Sequence, residues 1–220
     1  MLSRRTLLLA AAAAPALAQE KSVRPGINDN FKSPNVQEWL GRLETESREP
    51  FARRNEIVAA TGIQPGDVVA DIGAGTGLFT ALFAARVGPQ GHVYAVDIAL
   101  TFLAHISETA KKQGLANITP VLGREDSIAL PANSIDLAYV CDTYHHFEFP
   151  QKTLASVHRA LKPNGRLVIV EFHRTPDRVE HVRAAQDVVE KEVTAAGFRK
   201  IAQPAVAGLK ENYVVIFQRT

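Results

Sequence analysis

Short apolar runs alternate with amphipathic segments along most of the chain. The runs are rich in Val, Ile and Leu, which is typical of strands buried inside a parallel sheet. The segments between them repeat apolar positions at helical spacing. The pattern predicts strands at 68–71, 91–96, 117–122, 134–141, 166–172, 198–202 and 213–219. It predicts helices at 34–47, from about residue 50, and at 78–87, 99–112, 150–161 and 178–196. Together these elements indicate an α/β fold.

The first two helices precede the first strand. Ser33 is predicted to cap the first helix, with Pro34 at its first position. Residues 19–33 are polar and irregular, and we interpret them as a lead-in to the domain. The charged side chains on the two helices could reach a site at the sheet edge, but a solvated helix face is the favoured interpretation: Glu44, Glu46, Arg48 and Arg53.

A glycine-rich turn follows the first strand. Asp71 lies at the end of that strand, and Gly73, Gly75 and Gly77 follow at every second position. Such a tight turn needs a positive φ, and the missing Cβ atoms let a ligand approach the backbone closely. The second strand ends at Asp97, whose carboxylate can accept two hydrogen bonds from a ribose diol. The two strands therefore predict a nucleotide-binding unit.

The spacing of this turn separates two cofactors. It reads D-x-G-x-G-x-G, whereas a dinucleotide site is usually G-x-G-x-x-G. A carboxylate at Asp71 would repel a pyrophosphate but suits a cationic amino-acid tail. The turn resembles motif I of the class I S-adenosylmethionine-dependent methyltransferases, and Asp97 resembles their ribose-binding acid. The sequence LKPNGRLVIVEF at 161–172 is similar to a later segment of that family, where L-K-P-G-G is usual.

The resemblance implies a fold and a set of cofactor contacts. The fold is a Rossmann-like three-layer sandwich over residues 34–220, with leading helices at 34–60 that close over the site. Its seven-stranded, mostly parallel sheet has the order 3-2-1-4-5-7-6, with the last strand antiparallel. The implied contacts with S-adenosylmethionine are Asp71, Gly73, Ala74, Gly75, Thr76, Gly77, Asp97, Ile98, Asp126 and Asp142.

One of these contacts departs from the family pattern. The family places an acid against the adenine amino group shortly after the third strand, but Arg124 stands at that position here. Asp126 is the preferred substitute and Glu125 the alternative. A polar surface turn at 123–131 is the competing interpretation.

The fourth strand is followed by DTYHHF at 142–147. Ligands of open α/β sheets bind outside the carboxyl ends of the strands, so this segment is predicted to lie at the chemistry. His145 and His146 are candidate general bases because histidine titrates near neutrality, and Tyr144 is a candidate for orienting the substrate. Adjacent side chains on an extended segment point in opposite directions, so at most one of the two histidines is expected to face the pocket.

A metal site is a further interpretation of the same region. Asp142, His145, His146 and His173 all carry side chains that can ligate a metal. Their spacing matches no known metal motif, and we therefore predict no metal.

Residues 1–18, MLSRRTLLLAAAAAPALA, have the pattern of a signal peptide that ends in an A-x-A cleavage site. The apolar run is too short for a stable membrane span. The segment SRRTLL at 3–8 resembles the twin-arginine export signal, and an ordinary Sec signal or an uncleaved anchor are the alternatives. The chain is accordingly expected in the bacterial periplasm, without a membrane span after cleavage.

Composition excludes other classes of protein. The 220 residues suffice for one domain, and 46% hydrophobic with 22% charged residues is typical of a globular protein. Without Arg4 and Arg5, 23 basic residues balance 23 acidic ones, and the absence of a basic run argues against a nucleic-acid partner. Cys141 is the only cysteine, so an internal disulfide is impossible, and a packed core thiol is expected.

These observations predict an enzyme that transfers a methyl group from S-adenosylmethionine to a small molecule. Because the sulfonium is already activated, the enzyme must mainly align donor and acceptor. One alternative is a non-catalytic protein that binds S-adenosylmethionine or a nucleoside, which the signal peptide favours because this cofactor is made in the cytoplasm. A nicotinamide-dependent oxidoreductase is a third alternative, disfavoured by the position of Asp71.

Overall fold

A central sheet with helices on both faces forms the structure, a computed structural model that describes residues 21–220. The strands are β1 (Val68–Ile72), β2 (His92–Asp97), β3 (Ile118–Leu122), β4 (Ile135–Cys141), β5 (Leu161–Phe172), β6 (Phe198–Ala202) and β7 (Asn212–Arg219). The α-helices are α1 (Val36–Leu43), α2 (Glu49–Ala52), α3 (Arg54–Ala60), α4 (Leu78–Val87), α5 (Leu100–Lys112), α6 (Pro150–Ala160) and α7 (Gln186–Ala195). Short 3-10 helices cover Asp29–Phe31, Tyr144–His146 and Pro176–Arg178.

The strand order is β3-β2-β1-β4-β5-β7-β6. Strands β1 to β5 pair in parallel, and β7 is antiparallel to both β5 and β6. The order reverses between β1 and β4, which leaves a crevice at their carboxyl ends. The predicted Rossmann-like sheet is confirmed in strand order and direction.

The two faces of the sheet bury separate apolar clusters. Along β4, Leu137 and Tyr139 join a cluster with α3 and α4, whereas Ala138 and Val140 join a cluster with α6 and α7. This alternation follows the two-residue period of a strand. Because both faces are covered, β4 reads as a continuous apolar run from Leu137 to Cys141, which is why the sequence reveals it.

The leading helices are shorter than the sequence predicts. The helix expected at 34–47 covers only Val36–Leu43, and its cap is Asn35 rather than Ser33. The Asn35 side chain accepts hydrogen bonds from the backbone N–H groups of Gln37 and Glu38. The helix expected near residue 50 is divided into α2 and α3 by a change of backbone direction at Arg53.

Strand β5 is longer than predicted, because the turn expected at 161–165 is part of it. The strand begins at Leu161 instead of Arg166, and its register against β4 shifts between Ile135 and Leu137. Asn164 adopts a positive φ of 64° within this irregular start. The predicted turn is therefore wrong: the chain continues to pair with β4 through an irregular register across these residues.

The helix predicted at 178–196 is wrong in its first half. Only Gln186–Ala195 is helical, and residues 179–185 form turns and bends. Val182 and Ala184 are buried in this irregular stretch, and Arg174 Nε donates to the carbonyl of Val182 at 2.9 Å. Apolar positions that suggested a helix face are therefore buried by a loop, which brings His181 towards the carboxyl ends of the strands.

Two predictions concern the N-terminal part of the chain, the signal peptide and the irregular lead-in. The signal peptide predicted at 1–18 lies outside the described residues. In the lead-in, the N–H of Val23 donates to the carbonyl of Glu148, and Asn28 Nδ2 donates to the carbonyl of His146, so residues 21–33 are tied to the loop after β4. Among residues 21–220, no helix combines the length and apolar character needed to cross a membrane.

Candidate active site

A cavity of about 300 Å³ lies at the carboxyl ends of the parallel strands. The last residue of each of four strands lines its wall: Ile72, Asp97, Cys141 and Phe172. The leading segment closes it from the other side with Asn28, Phe31, Trp39, Leu43 and Arg48. The cavity therefore lies where the sheet order reverses, as the topology predicts.

The glycine turn forms the floor of this cavity. The φ angles of Gly73, Gly75 and Gly77 are 71°, 53° and 86°. A Cβ at Gly73 would overlap the side chain of Thr143, so both the φ angle and the close approach require glycine there. Gly73 and Gly75 line the cavity, whereas Ala74, Thr76 and Gly77 do not. These last three residues shape the turn from behind.

Asp97 lies at the cavity wall, as predicted for a ribose-binding acid. Its Oδ2 accepts the N–H of Gly75 and its Oδ1 accepts the N–H of Ala99, both at 2.9 Å. Burial raises the pKa of this carboxyl group, and the two backbone donors oppose that shift. Each oxygen keeps a free lone pair, so the carboxylate is positioned to accept hydroxyl donors. The adjacent Ile98 also lines the cavity.

Asp71, which was predicted to contact the cationic tail of the cofactor, does not line the cavity. The carboxylate is buried behind the turn, where its Oδ2 accepts a hydrogen bond from the hydroxyl of Thr80 at 2.6 Å. Burial raises the pKa of Asp71 to about 7, although the Thr80 hydrogen bond opposes this. In the structure this acid links β1 to α4.

The adenine-binding acid is placed differently from the preferred prediction. Glu125 and Arg124 line the cavity, whereas Asp126 does not. The Asp126 carboxylate lies 3.5 Å from Arg124 and 4.0 Å from Lys152, on a partly exposed surface. Within the segment 123–131, Arg124 and Ser127 form an isolated antiparallel bridge. Glu125 is therefore the better candidate of the two acids.

Asp142 lies at the centre of the site and is held by two distant parts of the chain. Its Oδ2 accepts Arg48 Nη2 and its Oδ1 accepts Asn212 Nδ2, both at 2.6 Å. Burial raises the pKa of Asp142 to about 6, while the Arg48 guanidinium opposes the shift. The interpretation of Arg48 as part of a solvated helix face is therefore wrong.

The segment after β4 is not extended, and this changes which side chains face the cavity. Tyr144–His146 form one turn of 3-10 helix. As a result both His145 and His146 line the cavity, contrary to the expectation that at most one would. Tyr144 points away: it is fully buried in the opposite core, where its hydroxyl donates to Glu192 at 2.7 Å. Its predicted role in orienting substrate is wrong.

The two histidines meet a third, His181, at the cavity wall. Nδ1 of His145 lies 2.9 Å from both carboxylate oxygens of Glu171, and its Nε2 lies 3.1 Å from Nε2 of His181. Burial lowers the pKa of His146 to about 3 and also lowers that of His181. His146 is accordingly neutral at physiological pH, which leaves a lone pair on its ring.

Sequence reasoning missed Glu171 and His181. Glu171 is the single charged residue inside the apolar stretch LVIVEF, and a charge in a buried strand needs a partner. The sequence therefore contained a signal that could have identified Glu171. No comparable signal marks His181, because it lies in a segment whose pattern predicted a helix. His173, considered with the metal-capable residues, is exposed and packs on Tyr213 instead. Cys141 lies at the cavity wall, and burial raises the pKa of its thiol.

Comparison with known proteins agrees with this geometry. Residues 70–169 match the family model of a methyltransferase domain. The ubiquinone/menaquinone biosynthesis C-methyltransferase UbiE of Pseudoalteromonas translucida is 34% identical over 122 residues, which are 55% of this chain and 49% of that protein. The same enzyme of Hydrogenovibrio crunogenus is 30% identical over 122 residues, 55% of this chain and 48% of that protein. The chain thus spans about half the length of these curated relatives.

Solved structures share the fold. A S-adenosylmethionine-dependent methyltransferase from Aquifex aeolicus superposes with a TM-score of 0.74 at 24% identity, covering 86% of this chain and all of that one. The [4+2]-cyclase SpnF superposes with a TM-score of 0.67 at 15% identity, covering 76% of this chain and 80% of that one. The match to the methyltransferase domain model over residues 70–169 agrees with the predicted family, and the superpositions confirm the predicted fold.

Proposed function

We propose that the protein transfers the methyl group of S-adenosylmethionine to a small, largely apolar acceptor bound in the same cavity. The observation that carries this proposal is the continuity of the cavity. Its wall runs from the glycine turn and Asp97 to a group of aromatic side chains and the three histidines. Donor and acceptor would therefore share one enclosed space, which is the arrangement that an in-line displacement needs.

The donor end is supplied by the turn and the acids beside it. Asp97 would accept the ribose hydroxyls, and Glu125 is placed for the adenine amino group. Asp142 stands between these groups and the histidines, and it is fixed there by Arg48 and Asn212. A charge-assisted hydrogen bond contributes roughly 1.5–3 kcal/mol, so Asp97 alone can decide whether the donor binds.

The acceptor end is lined by rings. Phe31 packs against Trp39 with ring centroids 4.9 Å apart, Trp39 lies 6.5 Å from Phe102, and Phe31 meets the edge of His146 at 4.7 Å. Such a wall favours a flat or aromatic acceptor. The relatives named as quinone C-methyltransferases support the same choice, and a quinol or a related phenol is the acceptor class that we propose.

The histidines are the groups at the acceptor end that can take part in proton transfer. A base is needed only where the acceptor carries a proton that must leave. With Nδ1 of His145 held by Glu171, its Nε2 lies 3.1 Å from Nε2 of His181, so the His145–His181 pair can receive such a proton. Glu171 is 1% exposed, so it would stabilise the resulting imidazolium through a bond that water does not weaken.

We also propose that the protein acts outside the cytoplasm, because residues 1–18 have the pattern of an export signal. This location favours one competing function, a protein that binds S-adenosylmethionine or a nucleoside without transferring a methyl group. The superposition on a protein named as a cyclase shows that this fold does not by itself fix the reaction.

Calorimetric titration of S-adenosylmethionine into the full chain tests donor binding. We expect micromolar binding by the parent protein and at least a tenfold loss in Asp97→Asn, equivalent to about 1.4 kcal/mol. Asp126→Asn is the matched control, because this acid lies near the cavity without lining it, and it should bind like the parent. Absence of binding by a folded parent protein would overturn the proposal.

Transfer itself is tested with donor carrying a labelled methyl group and a panel of quinols and phenols. Label in an acceptor supports the methyltransferase. Tight donor binding without transfer to any acceptor in the panel would favour the binding protein.

A further inference from the structure

Three imidazole rings converge at the acceptor end of the cavity. One ring nitrogen from each of His145, His146 and His181 can be chosen so that all three lie within 4.8 Å of one another. The shortest separation is the 3.1 Å between Nε2 of His145 and Nε2 of His181. Tetrahedral zinc with Zn–N bonds of about 2.0–2.1 Å places its nitrogen ligands roughly 3.4 Å apart. The cluster is thus close to the spacing of a three-histidine metal site.

The environment of His145 is that of a metal ligand. Nδ1 donates to Glu171, whose Oε2 also accepts the N–H of His145 at 3.1 Å and whose Oε1 accepts the N–H of Phe172 at 2.7 Å. The carboxylate is therefore fixed, and it fixes the proton of His145 on Nδ1. The lone pair of Nε2 is left facing the cluster. A ligating histidine almost always has such an outer carboxylate or carbonyl partner.

The other two rings offer nitrogens as well. Nδ1 of His146 is buried and has no hydrogen-bond partner among residues 21–220, which is costly for a polar atom. Asn28 holds the backbone of this residue through its carbonyl, and Phe31 packs on the ring. His181 lies in the turns of 179–185, where a side-chain rotation can close the remaining gap without moving a helix or strand.

We propose that His145, His146 and His181 bind one divalent first-row transition metal, with zinc as the reference ion. Three neutral nitrogen donors suit zinc, copper, nickel or iron, whereas magnesium and calcium prefer oxygen. All three residues line the cavity, so the remaining coordination position faces the acceptor. Three protein ligands with one open position are typical of catalytic metal sites.

Such an ion would select the acceptor. An oxygen on the acceptor ring could occupy the open position, and coordination would lower its pKa, so that its proton would pass to solvent water; His145, whose Nε2 would then hold the ion, would no longer act as the base. This consequence rests on the proposed methyl transfer, but the metal site itself does not. Glu171 is a positioning residue in this scheme, because it acts through His145.

Titration with Zn²⁺ alone tests the site in the full chain, produced without a polyhistidine tag and treated with chelator. We expect one equivalent to bind at micromolar strength or tighter. His181→Ala should weaken binding at least 100-fold, and Glu171→Gln about 10- to 100-fold, the usual effect of removing an outer partner. His173→Ala is the control, because this exposed histidine lies outside the cluster and should bind Zn²⁺ normally.

Visible absorption of bound Co²⁺ gives a second measurement that a merely structural role would not change. A tetrahedral cobalt band in the parent and in His173→Ala, lost in His181→Ala, supports the site. Failure of a folded parent to bind Zn²⁺, or equal binding by His181→Ala, would overturn it. Titrating S-adenosylmethionine into the same samples keeps the two proposals apart: donor binding without zinc leaves the methyltransferase standing, and zinc binding without donor leaves only the metal site.

Discussion

Asp71 shows how burial, together with the nearby Asp97 carboxylate, can set the charge of one residue. The carboxyl group is 3% exposed, has a single hydroxyl donor and has a pKa raised to about 7. Because the folded protein holds this proton more tightly than the unfolded chain, protonation stabilises the fold. That stabilisation is complete below the unfolded pKa of 3.8 and is lost as the pH rises through 7.

Replacement of Asp71 by Asn should remove this dependence on pH, because the amide cannot ionise and its oxygen can still accept from Thr80. Relative to the parent, the unfolding free energy of Asp71→Asn should rise by about 2–3 kcal/mol between pH 5 and pH 8. Urea unfolding of the ligand-free proteins at both pH values measures it. Asp126→Asn, at a partly exposed position, should show the same change in unfolding free energy with pH as the parent. If the Asp71 carboxyl group of the folded protein were ionised throughout this pH range, Asp71→Asn would also show the parent's pH dependence, which would contradict the prediction.

Single residues also mark the boundary of what the sequence could predict. Gly73, Asp97 and Asp142 were found because their chemistry depends on a position at a strand end, which a local pattern reveals. The convergence of His145 with His181 could not be found in this way. It depends on a 3-10 turn in one loop and an irregular path in another, 36 residues apart, and neither has a period that a sequence can display.

Among the elements, the short helix α2 is held to the sheet by one side chain. The carboxylate of Glu49 accepts the backbone N–H groups of Lys210, Glu211 and Asn212 at 2.8–3.2 Å. A helix of 4 residues has too few internal hydrogen bonds to be stable alone, so this attachment positions it. The neighbouring Arg48, which reaches Asp142, is positioned with it.

Glu49→Ala should therefore cost about 1–3 kcal/mol of unfolding free energy, since it leaves backbone donors of the loop before β7 without their carboxylate. Chemical denaturation followed by circular dichroism measures the loss. Glu46→Ala is the matched control from the same segment: its side chain is 75% exposed and makes only a 3.7 Å ion pair with Arg54, so the change should stay below about 0.5 kcal/mol. Equal effects of both substitutions would contradict the attachment.

The elements themselves were predicted unevenly, for a physical reason. Strands buried on both faces and helices with one apolar stripe follow strict periods, and α4 was predicted with the bounds that the structure shows. The segment at 178–185 also carries apolar residues, but they are buried by turns held through Arg174. The conformation of such a segment is determined by its tertiary contacts and not by its local sequence pattern.

For the whole molecule, the order of the sheet followed from the resemblance of a few motifs, because a fold permits few connections once its strands are known. Export is the whole-molecule property that is still a prediction. A tagged full chain, expressed in bacteria and fractionated, should appear in the periplasm in a shortened form. Replacing both Arg4 and Arg5 by Lys should retain it in the cytoplasm if the twin-arginine route is used.

A matched control for export is Arg24→Lys, which changes an arginine beyond the predicted signal and should leave the distribution unaltered. Export of the double variant at the parent's level would indicate the Sec route. Recovery of the parent only as uncut protein in the cytoplasm would contradict export by either route.

The two hydrogen bonds to Asp142 have a consequence for the order in which parts of the molecule fold. This carboxylate joins Arg48, 94 residues earlier, to Asn212, 70 residues later. During synthesis Arg48 leaves the ribosome well before Asn212, so the network around Asp142 stays incomplete until the last strand has been made. The central strands can pair early, but the pocket is completed only when β7 enters the sheet between β5 and β6. A nascent chain that lacks its last strand would thus be largely folded and unable to hold a ligand.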